Sequence, residues 1–339
     1  MDIQKEIIRI TSEYFEEDLD YQKLALASRE YKDLLNKVCE QNMNVENGRH
    51  DIGFDNGKAL GTFWAALCLE DLIRTRQFVR GINKAIQEKI NKQKPLQILY
   101  AGTGPFATLI LPFIFRYSKQ EIEYTFLEVN PFSFEILQGV ISKLGLKDYN
   151  IKLVKEDATK YQIDLKNKPD IIISETMQNA LAKEQQVSIF LNLMNQVKSD
   201  TIFIPEKIEL FIGLKKAGIS AEETQIKHYQ KEKKILEVSK EEMFPLNPTE
   251  NKTIGGGEFD KKQTIIEEKK LRGFSELLLI TEIQVYKDEK IGINESGLTT
   301  PITIKDIPTN LNDSITINTQ YKISSEPELE YEITLSKKV

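Results

Sequence analysis

Acidic residues and a glycine-rich turn stand where apolar segments of this chain end. Gly102 and Gly104 follow the apolar run 96–101 directly. Glu128 and Asp157 stand at the ends of the next two apolar runs, which begin at 124 and 151. Glycines let a backbone turn sharply and approach a ligand closely, and a carboxylate can accept hydrogen bonds from two neighbouring hydroxyls. This combination is typical of parallel sheets that bind an adenosine-containing cofactor at the carboxyl ends of their strands.

The glycine-rich turn is compatible with two kinds of cofactor. Its G-x-G-x-x-A pattern at 102–107 fits the loose dinucleotide fingerprint, in which Glu128 would bind a ribose. The same residues fit S-adenosylmethionine (SAM), where the acid after the second strand takes both ribose hydroxyls. The strand ends favour SAM, because Asp157 can meet the adenine amino group and 174–177 lies where substrates bind in open α/β sheets. Blander interpretations remain, with Glu128 as a surface charge and Asp157 as a helix cap.

Strand-like and helix-like segments alternate between residues 96 and 205, which predicts a mostly parallel, Rossmann-like α/β domain. The predicted strands are 96–101, 124–128, 151–155, 170–174 and 201–204. The predicted helices are 106–116, 132–144 and 183–197. We expect the free N–H groups of the first helix to point at the cofactor.

The segments on either side of this domain have different patterns of apolar residues. Residues 1–95 have apolar positions at helical spacing and predict a helical N-terminal lid. Residues 206–339 predict a β-rich, barrel-like domain. Its predicted strands are 208–214, 277–286, 302–307, 314–323 and 329–335. The Lys/Glu-rich stretch Glu222–Glu242 predicts a helix or a mobile segment, and Gly255–Gly257 a flexible loop.

Composition excludes several classes of partner. The 339 residues carry a net charge of −6, which gives no general attraction to nucleic acid or to an anionic membrane. Cys39 and Cys68 form no spaced metal pattern, so we expect no metal and reduced thiols. The first residues lack the apolar core of a signal peptide, and no apolar run has the ~20 residues of a membrane span. We therefore expect a cytoplasmic protein.

Two acids and an arginine segment carry a resemblance to a known family. Glu175 and Glu184 stand nine positions apart after the fourth predicted strand, 71–75 reads D-x-x-R-T, and Ile204-Pro205 precedes the β-rich part. These features resemble the double-E loop, the helix segment and the barrel entry of the protein arginine methyltransferases, a branch of the class I SAM-dependent methyltransferases. The family's Thr-His-Trp loop is absent, since Trp64 is the sole tryptophan and adjoins no histidine.

The resemblance implies an activity and a site. Glu175 and Glu184 would hold a planar guanidinium by paired hydrogen bonds and leave one nitrogen free to attack the methyl group. Arg74 would pair with the carboxylate of SAM. The cofactor-binding residues that the resemblance implies are Arg74, Tyr100, Gly102, Gly104, Glu128, Asn130, Asp157 and Ala158. The expected acceptor is a small molecule or a peptide, and a homodimer is expected through an arm in 222–242 or near Gly255.

Other functions stay open at the level of the sequence. A methyltransferase of the same fold can act on oxygen or carbon, with the glutamates as a base or as structure. A non-catalytic SAM-binding scaffold or a nicotinamide-dependent enzyme is also compatible with the turn. Trp64 fits either the core or an acceptor pocket, and 298–301 is a candidate for the position of the missing tripeptide.

Overall fold

The computed structural model describes residues 3–91, 93–218, 228–243, 259–308, 311 and 313–336. The N-terminal segment is largely helical, as predicted. Its elements are α1 Ile3–Thr11, α2 Tyr21–Cys39, α3 Glu46–Arg49, β1 Ile52–Phe54, β2 Gly57–Ala59, α4 Thr62–Leu67 and α5 Leu72–Lys89. Asp20 starts α2 by accepting from the N–H groups of Gln22 and Lys23. The polar break before α4 contains the antiparallel hairpin β1–β2.

A five-stranded parallel sheet forms the centre of the fold. Its strands are β3 Leu96–Ala101, β4 Ile122–Leu127, β5 Ile151–Val154, β6 Ile171–Ser174 and β7 Ile202–Ile204, in the order β5-β4-β3-β6-β7. The helices that follow the strands are α6 Leu111–Ile114, α7 Pro131–Lys143 and α8 Gln186–Met194. The five predicted strands are confirmed. The strand order reverses beside β3, so a crevice opens where β3 and β6 end.

The helix predicted over 106–116 is wrong for most of its length. Residues 104–110 form turns, and α6 covers Leu111–Ile114. Ala107 has a φ of +48°, which a right-handed helix does not accommodate. The run is still buried, because Phe106, Ile110 and Phe113 pack into the core with at most 2% exposure. Burial of apolar residues therefore gave a helix-like pattern without a helix.

Antiparallel strands make up the C-terminal part, which confirms the predicted fold class. They are β8 Lys207–Lys216, β9 Tyr229–Ser239, β10 Lys262–Ile266, β11 Phe274–Tyr286, β12 Glu289–Ile291, β13 Ile302–Asp306, β14 Ser314–Lys322 and β15 Glu328–Ser336, with short helices α9 Lys240–Met243 and α10 Glu268–Leu271. One sheet has the order β12-β11-β8-β9 with β13 also paired to β11, and the other has the order β10-β14-β15.

The Lys/Glu-rich stretch is mostly a strand where the structure describes it, and its last residues, 240–242, lie in α9. Tyr229–Ser239 pairs with β8, and its inner half is buried at Ile235, Leu236 and Val238. Cross-strand ion pairs neutralise its outer half, with Lys231 on Glu282 at 2.7 Å and Lys234 on Glu209 at 3.3 Å. Helix or mobility was thus the wrong prediction for 229–239. Residues 222–227 and 255–257 lie outside the described residues. Among the described helices, none has the length and apolarity needed to cross a membrane.

Candidate functional site

A cavity of about 370 Å³ opens at the carboxyl edge of the central sheet. Three parts of the chain form its wall. They are the segment 58–74, the ends of β3, β4, β5 and β6 with the segments that follow them, and residues 297–298 from the C-terminal part. The predicted site residues that line it are Arg74, Tyr100, Gly102, Gly104, Glu128, Ala158, Glu175 and Glu184. Asn130 and Asp157 do not line it. Residues predicted from separate strand ends therefore share one cavity.

The turn after β3 requires glycine at two positions. Gly102 has a φ of +75° and Gly104 a φ of +61°, a region that residues with a side chain seldom adopt. A Cβ on Gly102 would also overlap the methyl group of Thr176. The N–H of Gly102 donates to Leu127 O at 3.0 Å. The turn is thus fixed to the end of β4, and its backbone faces the cavity.

Glu128 is buried against this turn, with 5% exposure. Its Oε2 accepts from Gly104 N at 2.7 Å and its Oε1 from Asn130 N at 2.8 Å. Burial raises the pKa of Glu128 to about 7, against these backbone hydrogen bonds, which lower it. The Val129 backbone and the Thr103 side chain also hydrogen-bond to this carboxylate. Because it lines the cavity, the carboxylate can also accept from hydroxyls of a ligand there.

Asn130 lies behind the wall of the cavity, and its predicted contact with the cofactor stays a prediction. Its Oδ1 accepts from Phe132 N at 3.0 Å and Ser133 N at 3.3 Å, so the side chain caps α7. Its Nδ2 donates to Leu60 O at 3.3 Å and joins the N-terminal segment to the sheet. The side chain is therefore occupied by the backbone of the chain itself.

Asp157 also turns back on its own backbone. Its Oδ1 accepts from Thr159 N at 2.9 Å and from Thr159 Oγ1 at 2.8 Å. This is the local turn that a short acidic side chain favours. Its Oδ2 is buried and has no hydrogen-bond partner among the described residues. Its neighbours Glu156 and Ala158 line the cavity, and the contact of Asp157 with a ligand stays a prediction.

Glu175, directly after β6, forms an ion pair with Arg74 in the first turn of α5. The exposed fraction is 8% for the Arg74 side chain and 5% for the Glu175 side chain. Arg74 Nη1 also donates to Cys68 O at 2.8 Å. A guanidinium of the chain thus already lies against one of the two acids.

Glu184 enters the cavity from the other end of the segment 175–184, called here the acidic loop. It is 5% exposed, and its Oε1 is buried without a hydrogen-bond partner in the part of the chain that the structure describes. Burial raises the pKa of Glu184 to about 7, although a hydrogen bond from Gln178 and the charges of Arg74 and Lys58 lower it. A buried carboxyl oxygen without a partner is a place for a donor or a cation.

The cavity also contains residues that the sequence analysis named with an open role and residues that it missed. Trp64, which fitted either core or pocket, lines the cavity and is 44% exposed. Lys58, Cys68 and Gln185 line it without any signal in the sequence that marks them. Leu298 also lines it, on a loop held by the helix cap Asp71, whose Oδ2 accepts from Ser296 Oγ at 2.6 Å. The S-x-x-T pattern at 296–299, a capping box, was the available signal for that loop.

Comparison with known proteins supports the fold. No family model matches the chain. An uncharacterized protein of Methanocaldococcus jannaschii is 26% identical over 183 residues, which are 53% of this chain and 63% of that protein, so the chain spans less than two thirds of this relative. Protein arginine methyltransferase 10 of Arabidopsis thaliana has a TM-score of 0.54 at 11% identity, covering 79% of this chain and 91% of that one.

A second solved structure is a PRMT1 enzyme–prozyme heterotetramer of Trypanosoma brucei with AdoHcy. Its TM-score is 0.49 at 11% identity, covering 79% of this chain and 92% of that one. The Arabidopsis structure shows that this chain has the α/β fold of the class I methyltransferases, with an antiparallel β-rich part beside the parallel sheet.

Proposed function

We propose that the chain is a SAM-dependent methyltransferase that methylates a guanidine or amine nitrogen of a small molecule or peptide. The observation that carries the proposal is convergence: Glu175 and Glu184 reach the cavity that the glycine turn and Glu128 also line. The fold shared with an arginine methyltransferase supports it. We propose further that 1–95 acts as the lid, 96–205 as the SAM-binding domain and 206–339 as the β-rich domain.

The cavity residues fit the cofactor. When bound, SAM supplies a methyl group activated on a sulfonium. Glu128 would accept from the ribose hydroxyls, because its carboxylate lines the cavity beside the glycine turn. Gly102 and Gly104 would let the backbone approach the cofactor closely, and Ala158 would border the base. Arg74 would exchange its pairing with Glu175 for the cofactor carboxylate, which leaves Glu175 free.

The two acids suit a planar cation. Glu175 already pairs with a guanidinium, that of Arg74, and Glu184 has an oxygen without a partner. Together they would hold the acceptor by paired hydrogen bonds and concentrate its positive charge on one nitrogen. The other nitrogen then keeps its lone pair and faces the methyl group. The remaining contribution of the protein is positioning.

The test is methyl transfer with the purified chain. We would incubate it with SAM and a panel of guanidines, amines and arginine peptides, and detect the added methyl mass. The double variant Glu175→Gln and Glu184→Gln should lose about a hundredfold or more of the activity, while Glu135→Gln, an exposed acid on α7, should match wild type. Activity that survives in the double variant would refute the role of the acids.

One observation favours a second function, methylation of oxygen. Burial raises the pKa of Glu184 to about 7, and an acid poised near neutral pH can act as a general base for a hydroxyl. The position of the methyl group in the product decides between the two functions. A methyl ether would establish the second one and refute transfer to nitrogen.

A further inference from the structure

The acidic loop has an unusual backbone between its two acids. Ala180, Leu181 and Lys183 have φ values of +57°, +58° and +66°. Residues with a side chain seldom adopt this left-handed region, and they stay there when surrounding contacts fix them. Glu184 N donates to Ala182 O at 2.8 Å, which closes a tight turn around Lys183 directly before the acid. The direction of the Glu184 side chain therefore depends on whatever holds this backbone.

Contacts from the C-terminal part hold the loop. Tyr321 Oη on β14 donates to Leu181 O at 2.7 Å. Ala180 N donates to Thr281 Oγ1 on β11 at 3.2 Å, and Lys183 N donates to Pro327 O at 2.6 Å. Both sheets of the C-terminal part thus reach the backbone between the acids.

The hairpin β1–β2 closes the loop from the opposite side. Lys58 N donates to Lys183 O at 2.9 Å. A Cβ on Gly57 would lie 2.9 Å from the carbonyl carbon of Glu184, so the two backbones are in close contact. Lys183 is therefore held through both its N–H and its carbonyl.

The surroundings of Tyr321 fix its hydroxyl in position to donate to Leu181 O. The side chain is 2% exposed, and its ring packs edge-on against Phe259 with centroids 5.4 Å apart. Burial raises the pKa of Tyr321, so the hydroxyl stays a neutral donor. Tyr321 and Thr281 do not line the cavity, so any effect of theirs on a bound acceptor passes through the loop.

We propose that Tyr321 is a positioning residue for the acceptor site, which fixes Glu184 through the hydroxyl bond to Leu181 O. The C-terminal β-rich part is then a component of the active site. The expected effect of Tyr321 on catalysis rests on the proposed function. The expected effect of Tyr321 on the backbone of the acidic loop rests on the loop geometry alone.

The experiment compares Tyr321→Phe with wild type by two readouts. Because one hydrogen bond to a buried carbonyl is lost, we expect the acceptor KM to rise about tenfold, while the Kd for S-adenosylhomocysteine stays within about twofold. We expect the amides of 180–184 to exchange with deuterium about tenfold faster. Thr281→Val, which removes the second tether, should change both quantities in the same direction and keeps the test usable if Tyr321→Phe misfolds.

The control is Tyr124→Phe, because this hydroxyl is also buried but has no partner among the described residues. It should match wild type in both readouts. Wild-type acceptor KM and loop exchange in Tyr321→Phe would overturn the inference, as would an equal loss of affinity for S-adenosylhomocysteine, which indicates general unfolding. If wild type methylates none of the acceptors, the proposed function fails, and the exchange of the loop amides alone decides the role of Tyr321.

Discussion

Two buried carboxyls at the cavity, Glu128 and Glu184, change their charge near neutral pH. Burial raises the pKa of both Glu128 and Glu184 to about 7. An acid whose pKa is raised by folding stabilises the folded chain while it is protonated, and this contribution is lost as the pH rises through about 7. The site therefore gains the charge that binds ligands at the expense of some stability, as is common at functional sites.

Cofactor affinity should follow the ionisation of Glu128. The carboxylate accepts from two hydroxyls, whereas the protonated acid has one donor and fewer acceptors. We expect the affinity for S-adenosylhomocysteine, measured by calorimetry, to rise about tenfold between about pH 6 and about pH 8. Glu128→Gln should remove this dependence and weaken binding at about pH 8 by at least about tenfold. Equal affinities at both pH values in wild type would contradict the assignment.

At the residue scale, the sequence indicates which positions reach the site but not which way each side chain turns. Glu128 and Glu175 follow strands directly, and the parallel sheet alone brings their positions together. Asn130 and Asp157 occupy equally suggestive positions, yet their side chains bind nearby backbone N–H groups. Short polar side chains have this local alternative, and the choice depends on the fold around them.

At the element scale, the sequence predicts the buried strands. It does not predict the segments whose pattern of apolar residues differs from that of their secondary structure. The apolar run of β3 has no other stable place than a sheet covered on both faces. β9 was missed because its outer half is charged, and the glutamates that neutralise it lie on β8 and β11, far away in sequence. The sequence predicts a helix over 106–110 because burial, and not helical geometry, sets the composition of these residues.

The packing of α5 on β11 gives a prediction about a single methyl group. A Cβ on Gly81 would lie 2.6 Å from Val285 Cγ1, so Gly81→Ala forces the helix and strand apart. Overpacking of this kind costs about 1–3 kcal/mol. Over most of that range, the cost exceeds the gain in helix propensity from Gly to Ala, which is about 0.8–1 kcal/mol. We expect a lower free energy of unfolding by urea denaturation.

Gly139→Ala on α7 is the matched control, because nothing lies within 4 Å of the added Cβ. It should raise the free energy of unfolding by about 0.5–1 kcal/mol. If both variants change stability in the same direction, the close contact between α5 and β11 is not a determinant of the fold.

At the scale of the whole molecule, α5 joins the cavity to the C-terminal part. Its first turn carries Arg74, and about two to three turns further along, its surface binds β12. Arg80 Nε donates to both oxygens of Glu289 at 3.0 Å, and Lys84 Nζ lies 2.6 Å from Glu289 Oε1. The Glu289 side chain is 6% exposed, so two cations share one buried acid at this interface.

Removing that acid should loosen α5 from the C-terminal part. Glu289→Gln leaves Arg80 without its counter-charge and Lys84 with Asp288 alone. Breaking a buried pair in this way costs about 3–5 kcal/mol. Burial alone would raise the pKa of Glu289, but hydrogen bonds from Arg80 and Lys84 outweigh it and hold the pKa below its ordinary value of 4.5. The stabilisation is therefore present above that value and lost as the pH falls through the lowered pKa.

Urea denaturation of wild type and Glu289→Gln as a function of pH checks both statements. The difference in the free energy of unfolding should be largest near neutral pH and shrink below the ordinary pKa. Asp288→Asn is the control, since Asp288 binds the same Lys84 at 2.6 Å but is 78% exposed, and it should cost less than about 1 kcal/mol. A penalty for Glu289→Gln that is equally small, or independent of pH, would show that this ion cluster does not hold α5. Because Arg74 lies on the same helix, a loosened α5 should also weaken the binding of S-adenosylhomocysteine.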